Sequence, residues 1–233
     1  MAFITVNGER VVWSGPGLPL VPFRVAIRAG TAEYRPSPIN AGNRQLRDRA
    51  LGLLGGSTRL ATDLAGLIQL TLSTGRREHA AYFRPDGTVV GTLMGEPDSA
   101  QMPPRPAGEL VGFVHTHPVP DTVLAPPSAN DYDIPFAANP IQLVVEMGGR
   151  VWQVFHGGYC ALLGSLAGTT FRRLTDPSAD QVYLTVPGDS LRMEAYEAER
   201  QREREGAERR ERAMRELAEQ RRRDAEARRS APH

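Results

Sequence analysis

Residues 109–131 read ELVGFVHTHPVPDTVLAPPSAND, an apolar run that ends in two histidines and is followed by a serine and an aspartate. Because side chains at i and i+2 of a strand point to one face, the run places His115 and His117 side by side. Asp131, carried by a following element, could close a third side of a tetrahedral metal site. The fourth position would stay open for water, as in catalytic rather than structural zinc sites. The stretch therefore predicts a zinc hydrolase.

Length and composition are those of a globular protein with appendages. The 233 residues can form one good-sized core, and Cys160, the single cysteine, excludes an intramolecular disulfide and a metal site of clustered thiolates. No segment approaches the roughly 18 apolar residues of a membrane span, and the N-terminus lacks a secretory signal pattern. We therefore expect a cytoplasmic protein with no membrane partner.

The formal net charge of +1 gives no global attraction to nucleic acid or to anionic membranes. All 28 basic residues are arginines. A GC-rich genome is the simpler explanation, since arginine codons are rich in G and C. The alternative, avoidance of lysine modification, matters only for a protein that works among lysine-conjugating enzymes.

Residues 1–42 are predicted to form a β-rich extension ahead of the main domain. Phe3–Val6 and Arg10–Trp13 flank an Asn-Gly turn, which is typical of a hairpin. Residues 21–27 predict another short strand. Residues 29–42 contain Gly, Pro and Asn and predict a loop.

Residues 43–188 are predicted to form the main domain, in which helical spacing gives way to strand patterns. The order of elements favours an α+β fold with antiparallel hairpins over a doubly wound parallel sheet. The predicted elements are helices over 43–56 and 58–74, a hairpin over 77–94, a core strand over 110–115, a short helix over 129–138, a hairpin over 141–155 and a strand over 182–186.

Residues 189–233 are rich in Arg, Glu and Ala, and their Glu and Arg side chains form many i,i+4 pairs. Apolar positions are too sparse for a sustained heptad, so we expect a long, solvated helix. The simplest interpretation is a charged extension without a specific function. A docking arm for a protein partner is the alternative, and a nucleic-acid arm is disfavoured because acids nearly balance arginines.

Amide hydrolysis also needs a general base outside the set of metal ligands. Glu78 is the preferred candidate, because it opens a strand that could pair beside the apolar run. Glu109 shares its parity with His115, but six extended residues place it roughly 20 Å away. Glu96 is placed in a loop at the far end of the hairpin from Glu78 and stays open as a candidate. His79 faces the opposite side of its strand and is left out of the site.

Three further residues can be given roles in or near the predicted site. Ser128 could donate a hydrogen bond to the substrate carbonyl or to the water, and it could equally be a plain helix cap. Asp133 is an alternative metal carboxylate, but on a helix it would point to a different face from Asp131. Cys160 is interpreted as a buried structural thiol.

In this order, Glu78, His115-Thr-His117-Pro118 and Ser128-x-x-Asp131 resemble the motif of the JAB/MPN metalloprotease family, also called JAMM. The resemblance covers roughly residues 45–160 and implies a curved mixed β-sheet flanked by helices. It implies that His115, His117 and Asp131 bind Zn²⁺, that Glu78 is the base, and that Ser128 supports the tetrahedral intermediate. Members of the family cut peptide or isopeptide bonds after the C-terminal tail of ubiquitin-like proteins, in deconjugation or in precursor processing, which implies such a protein or its conjugates as the partner here.

One departure from the family lies beside the site. Ten residues separate His117 from Ser128, three more than is common, which predicts a longer loop where substrate specificity is expected to lie. Two alternatives stay open: a non-catalytic MPN-type scaffold, which the complete ligand set disfavours, and a peptidase of an unrelated phage-tail or cell-wall peptide.

Overall fold

In the described part of the chain, one large, curved, mixed β-sheet is packed with two helices, in agreement with the predicted α+β class. The computed structural model describes residues 2–6, 9–13, 16–27, 30–56, 58–97, 99–119, 124–132 and 140–187. The predicted helical tail and Asp133 lie outside these residues. Within the described part, neither helix is long and apolar enough to cross a membrane.

The elements are β1 (Ala2–Val6), β2 (Glu9–Trp13), β3 (Phe23–Ile27), β4 (Gly30–Pro38), α1 (Ala41–Gly56), α2 (Thr58–Ser73), β5 (His79–Phe83), β6 (Val89–Met94), β7 (Gly112–His117), β8 (Ile141–Glu146), β9 (Arg150–Phe155), β10 (Tyr159–Ala167), β11 (Thr170–Arg173) and β12 (Gln181–Pro187), with 3-10 helices at Ala129–Tyr132 and Pro177–Asp180. The strands join in the order β2-β1-β3-β4-β12-β10-β9-β8-β7-β5-β6, with β11 paired to β10. Among the described strands, β7 and β8 form the one parallel pair, and Ser128 and Asp131 of the predicted metal motif lie in the crossover between them.

The helices predicted over residues 43–56 and 58–74 are confirmed. In α2, Leu60, Leu64 and Leu67 recur at helical spacing and are buried, which gives the helix one apolar face. Its end follows from Gly75, whose φ of +74° a residue with a side chain rarely adopts.

The two faces of the sheet are covered differently. On the side that we call the helix face, α1 and α2 pack against strand residues such as Phe83 and Val114. On the opposite side, the loop face, residues from connecting segments close the core. These loop residues are Leu18, Leu124 and Leu174, and they pack around Tyr34, Trp152 and Tyr183.

The prediction of a loop over residues 29–42 is wrong, because Gly30–Pro38 forms strand β4. Ala32 and Tyr34 are buried, whereas Glu33 between them is partly exposed, which is the alternation of a strand. Two prolines are tolerated because the pairing with β3 ends at Tyr34, so the rest of β4 has β12 as its single neighbour. The N-terminal strands therefore extend the same sheet that carries the site.

Candidate metal centre

Strand β7 carries both histidines, since it runs two residues beyond its predicted end and stops at His117. Alternation along the strand places His115 and His117 on the loop face and Thr116 on the helix face, where the Thr116 hydroxyl lies 2.8 Å from that of Thr71 in α2. His115 is buried and His117 is partly buried.

Asp131 reaches the histidines from the crossover between β7 and β8. Its Oδ1 lies 2.9 Å from Nε2 of His115, and its Oδ2 lies 3.4 Å from Nε2 of His117. The backbone N–H of Ser128 donates to Oδ2 at 2.5 Å, so the third residue of the turn reaches back to its start, as in half of a capping box. Of the helix predicted over 129–138, residues 129–132 form a 3-10 turn and the others lie outside the described residues.

The three side chains fit a small metal ion. Their ligand atoms lie within 4.8 Å of one another, and the two Nε2 atoms are 3.3 Å apart. Bonds of about 2.0–2.2 Å at tetrahedral angles require ligand atoms roughly 3.3–3.6 Å apart, close to what is observed. Two imidazoles and one carboxylate suit transition metals better than Ca²⁺ or Mg²⁺. The group could therefore hold a metal ion.

Electrostatics bind the three groups together in the metal-free protein. Burial alone would lower the pKa of His117, but the charge of Asp131, its hydrogen bond and the charge of Glu78 raise that pKa to about 9. Burial alone would raise the pKa of Asp131, but His115 and His117 hold it well below its usual range. A metal ion would have to displace a proton from His117, because imidazole binds metals in its neutral form.

The second ring nitrogens of the two histidines differ. Nδ1 of His117 lies 2.9 Å from the carbonyl oxygen of Ala125, so it can donate there and leave Nε2 as the ligand atom. Nδ1 of His115 is buried and has no hydrogen-bond partner among the described residues. The orientation of His117 is thus the better determined of the two.

Glu78 lies next to the ligands, one residue ahead of β5. The antiparallel register pairs Ala80 with His115, and continuing it by two residues sets Glu78 opposite His117 on the loop face. Directly opposite residues have Cβ atoms about 4.5–5.5 Å apart. Glu78 is buried, and its charge contributes to the raised pKa of His117. The structure therefore places this carboxylate beside His117 of the candidate metal centre.

The other candidates are placed differently. The expectation that Glu96 lies at the far end of the hairpin from Glu78 is wrong. Antiparallel pairing returns the chain to the start of the hairpin, and the Glu78 N–H donates to the Glu96 carbonyl at 3.0 Å. Its side chain is 64% exposed and forms an ion pair with Arg77 at 3.6 Å. Glu109 is exposed and precedes β7. His79 lies on the helix face, where its Nδ1 is 3.1 Å from the Thr71 hydroxyl.

A second buried carboxylate, Glu146, was missed by the sequence analysis. The parallel register sets it directly beside His117, and it accepts hydrogen bonds from Nε1 of Trp152 at 2.6 Å and from Arg150 at 3.0 Å. Burial raises its pKa. The available signal was an acidic residue at the end of the apolar run 141–147, which a purely structural strand rarely buries. By contrast, nothing in the sequence points to the carbonyl of Ala125.

Cys160 is buried on the loop face, as predicted, and burial raises the pKa of its thiol to about 12. It is therefore not a nucleophile near neutral pH.

The chain has no significant match among protein-family models, curated proteins or solved structures. Inference of function therefore rests on the site residues and their geometry.

Proposed function

We propose that this chain is a zinc-dependent peptidase or isopeptidase of the JAMM type. The single observation that carries the proposal is the convergence of His115, His117 and Asp131, with Glu78 beside them on the same face. The donor set of two nitrogens and one oxygen, with a carboxylate outside it, is that of hydrolytic rather than structural zinc. The free Cys160 agrees with the predicted cytoplasmic location.

When bound, zinc supplies an acidified water and polarises the scissile carbonyl. Glu78 accepts a proton from the attacking water and returns it to the leaving amine, for which its burial next to His117 is suited. The Ser128 hydroxyl donates a hydrogen bond to the carbonyl oxygen as negative charge develops there. Asp131 would hold the metal together with the two histidines, and the Ala125 carbonyl orients the imidazole of His117.

The substrate that we propose is the peptide or isopeptide bond after the C-terminal tail of a ubiquitin-like protein. The support for this substrate class is the motif resemblance. Part of the longer loop before Ser128 is not free to meet a substrate, because Leu124 and Ala125 are buried. Specificity would therefore depend on the remainder of that loop or on the strands beside Glu78.

The test compares Glu78→Gln with Glu96→Gln. The two carboxylates lie on neighbouring, hydrogen-bonded backbone positions, but one is buried beside the ligands and the other is exposed. We expect wild type and both variants to bind one zinc ion per chain. We expect Glu78→Gln to lose about 10²–10⁴-fold in cleavage of a ubiquitin-like fusion, and Glu96→Gln to keep wild-type activity.

Zinc content is measured by elemental analysis and cleavage by electrophoresis. Full activity in Glu78→Gln would remove Glu78 as the base. A wild-type chain that binds zinc but cuts no such fusion would favour a peptidase of an unrelated peptide. A chain that binds no metal would favour the scaffold.

A further inference from the structure

The segment that carries Ser128 and Asp131 is fastened at both ends to the same pair of strands. Before it, the Tyr34 hydroxyl donates to the carbonyl oxygen of Pro127 at 3.0 Å. After it, the Tyr132 hydroxyl hydrogen-bonds to Oγ1 of Thr185. Tyr34 of β4 and Thr185 of β12 are themselves directly paired across the sheet. One cross-strand pair therefore holds both ends of the turn.

Tyr34 is rigidly placed. It is fully buried, and its ring stacks on Phe23 with centroids 5.2 Å apart and planes 17° apart. Pro127 is buried as well, so loss of the hydroxyl would leave its carbonyl oxygen without a donor and without ready access to water. The turn would then relax, because a buried unpaired carbonyl is costly.

We propose that Tyr34 is a positioning residue for the metal centre and that the N-terminal strands are thereby part of it. The inference rests on the proposed function. Its path is short: Tyr34 fixes Pro127, the next residue is Ser128, and the Ser128 N–H holds Oδ2 of Asp131. Thr185 fixes the residue on the other side of Asp131 through Tyr132. Tyr34 therefore acts on the metal centre through the turn that carries Asp131.

The same core contains a natural control. Tyr183 is also fully buried, its ring contacts the same Phe23 edge-on, and its hydroxyl also donates to a proline carbonyl, that of Pro19, at 3.3 Å. Its bond leads to the loop at residues 16–22 rather than to the metal turn. Replacement of either tyrosine by phenylalanine removes one buried hydroxyl from one core, so a difference between the variants reports on the turn.

The experiment measures the zinc affinity of the metal-free full chain by competition with a chromophoric chelator, for wild type, Tyr34→Phe, Tyr183→Phe and Thr185→Val. We expect Tyr34→Phe and Thr185→Val to bind zinc at least about 10-fold more weakly, as is typical for partners that orient metal ligands. We expect Tyr183→Phe to bind zinc as wild type does. Both tyrosine variants should lower the Tm of the metal-free chain by similar amounts.

Equal zinc affinities of Tyr34→Phe and Tyr183→Phe would overturn the inference and leave the proposed function standing. If wild type bound no zinc, or if His117→Ala bound it as tightly, both would fail. Should Tyr34→Phe not fold, Thr185→Val decides, because it releases the other end of the turn: a wild-type affinity there rejects the inference.

Discussion

The strand pair β5–β7 buries histidines on both faces of the sheet, and the two faces give them opposite properties. On the helix face, His79 meets the Thr71 hydroxyl and the Arg77 carbonyl, and burial lowers its pKa. On the loop face, His117 meets Asp131 and its pKa rises to about 9. Burial by itself lowers the pKa of both histidines, so the difference lies in the carboxylate.

A buried histidine is thus not by itself evidence of a site. His79 has its polar contacts on hydroxyl and carbonyl groups of the core, which is a structural role. His115 and His117 instead bring their Nε2 atoms within 3.3 Å of each other, and the carboxylate of Asp131 lies beside both. What separates the two faces is convergence of ligand atoms on one point.

The largest expected effect comes from removing that carboxylate. Asp131→Asn keeps the shape of the side chain but removes its charge, and we expect zinc affinity to fall by more than the roughly 10–100-fold of an outer partner, with loss of cleavage. Asp86→Asn, in the turn between β5 and β6, is the matched control and should bind zinc normally. Competition with a chelator measures the zinc affinity of both variants. Wild-type affinity in Asp131→Asn would remove Asp131 from the proposed ligand set.

The second expected effect is on the pH dependence of zinc binding. Because the pKa of His117 is about 9, each ion must displace its proton below that pH. Apparent affinity should therefore rise about tenfold per pH unit between pH 7 and pH 8.5 from this residue alone. His79→Gln should leave the slope unchanged, since His79 lies on the other face. A zinc affinity independent of pH in this range would contradict the charge assignment of His117.

The third effect concerns Thr116, which lies between the two histidines but on the opposite face. Its hydroxyl is 2.8 Å from that of Thr71 and 2.9 Å from the backbone nitrogen of His79. Thr116→Val should lower the free energy of unfolding by about 1–3 kcal/mol, because buried partners lose their bonds. Zinc affinity should stay unchanged. Thr92→Val, exposed on β6, controls for the substitution and should change stability by at most about 0.5 kcal/mol.

The pH profile of stability in the metal-free chain should show opposite signs for the two faces. The folded pKa of His117 lies above its unfolded value of about 6.5, so its contribution is fully present below pH 6.5 and is lost as the pH rises through about 9. The folded pKa of His79 is lowered, so its contribution is present above pH 6.5 or so and is lost as the pH falls.

Chemical unfolding at several pH values tests this contrast. His117→Ala should flatten the alkaline side of the profile, and His79→Gln the acidic side near pH 6. The pKa of Asp131 is also lowered, but its contribution is lost only at more acidic pH, below its usual value of about 3.8. A common effect of both histidine variants on one side would contradict the contrast.

Local patterns in the sequence sufficed for α1, α2, the hairpins and the motif. Helical spacing identified α2, and the i,i+2 rule set His115 and His117 on one face. The predictions were wrong where the position of a residue depends on which strands pair. The prolines of β4 suggested a loop because its neighbour β12 lies far along the chain. Glu96 was misplaced because the two ends of a hairpin were treated as distant.

The residues that surround and position the site could not be predicted from the sequence, for the same reason. Tyr34 and Pro127 are 93 residues apart, and their hydrogen bond depends on β4 pairing with β12. Glu146 meets His117 only through the parallel pairing of β7 and β8, which no local pattern specifies. The motif residues can be identified from the sequence, whereas identifying the residues that position them requires the pairing of the strands.

The pairing of β4 with β12 also has a practical consequence for expression. A fragment that begins at residue 43 would keep His115, His117, Asp131 and Glu78, but it would lack β4. Strand β12 pairs with β4 along its whole length, so its backbone would become an open sheet edge beside uncovered aromatic core. Such edges recruit other chains. A protein trimmed to its motif would therefore be expected to aggregate, and a lack of activity in it would say nothing about the catalytic residues.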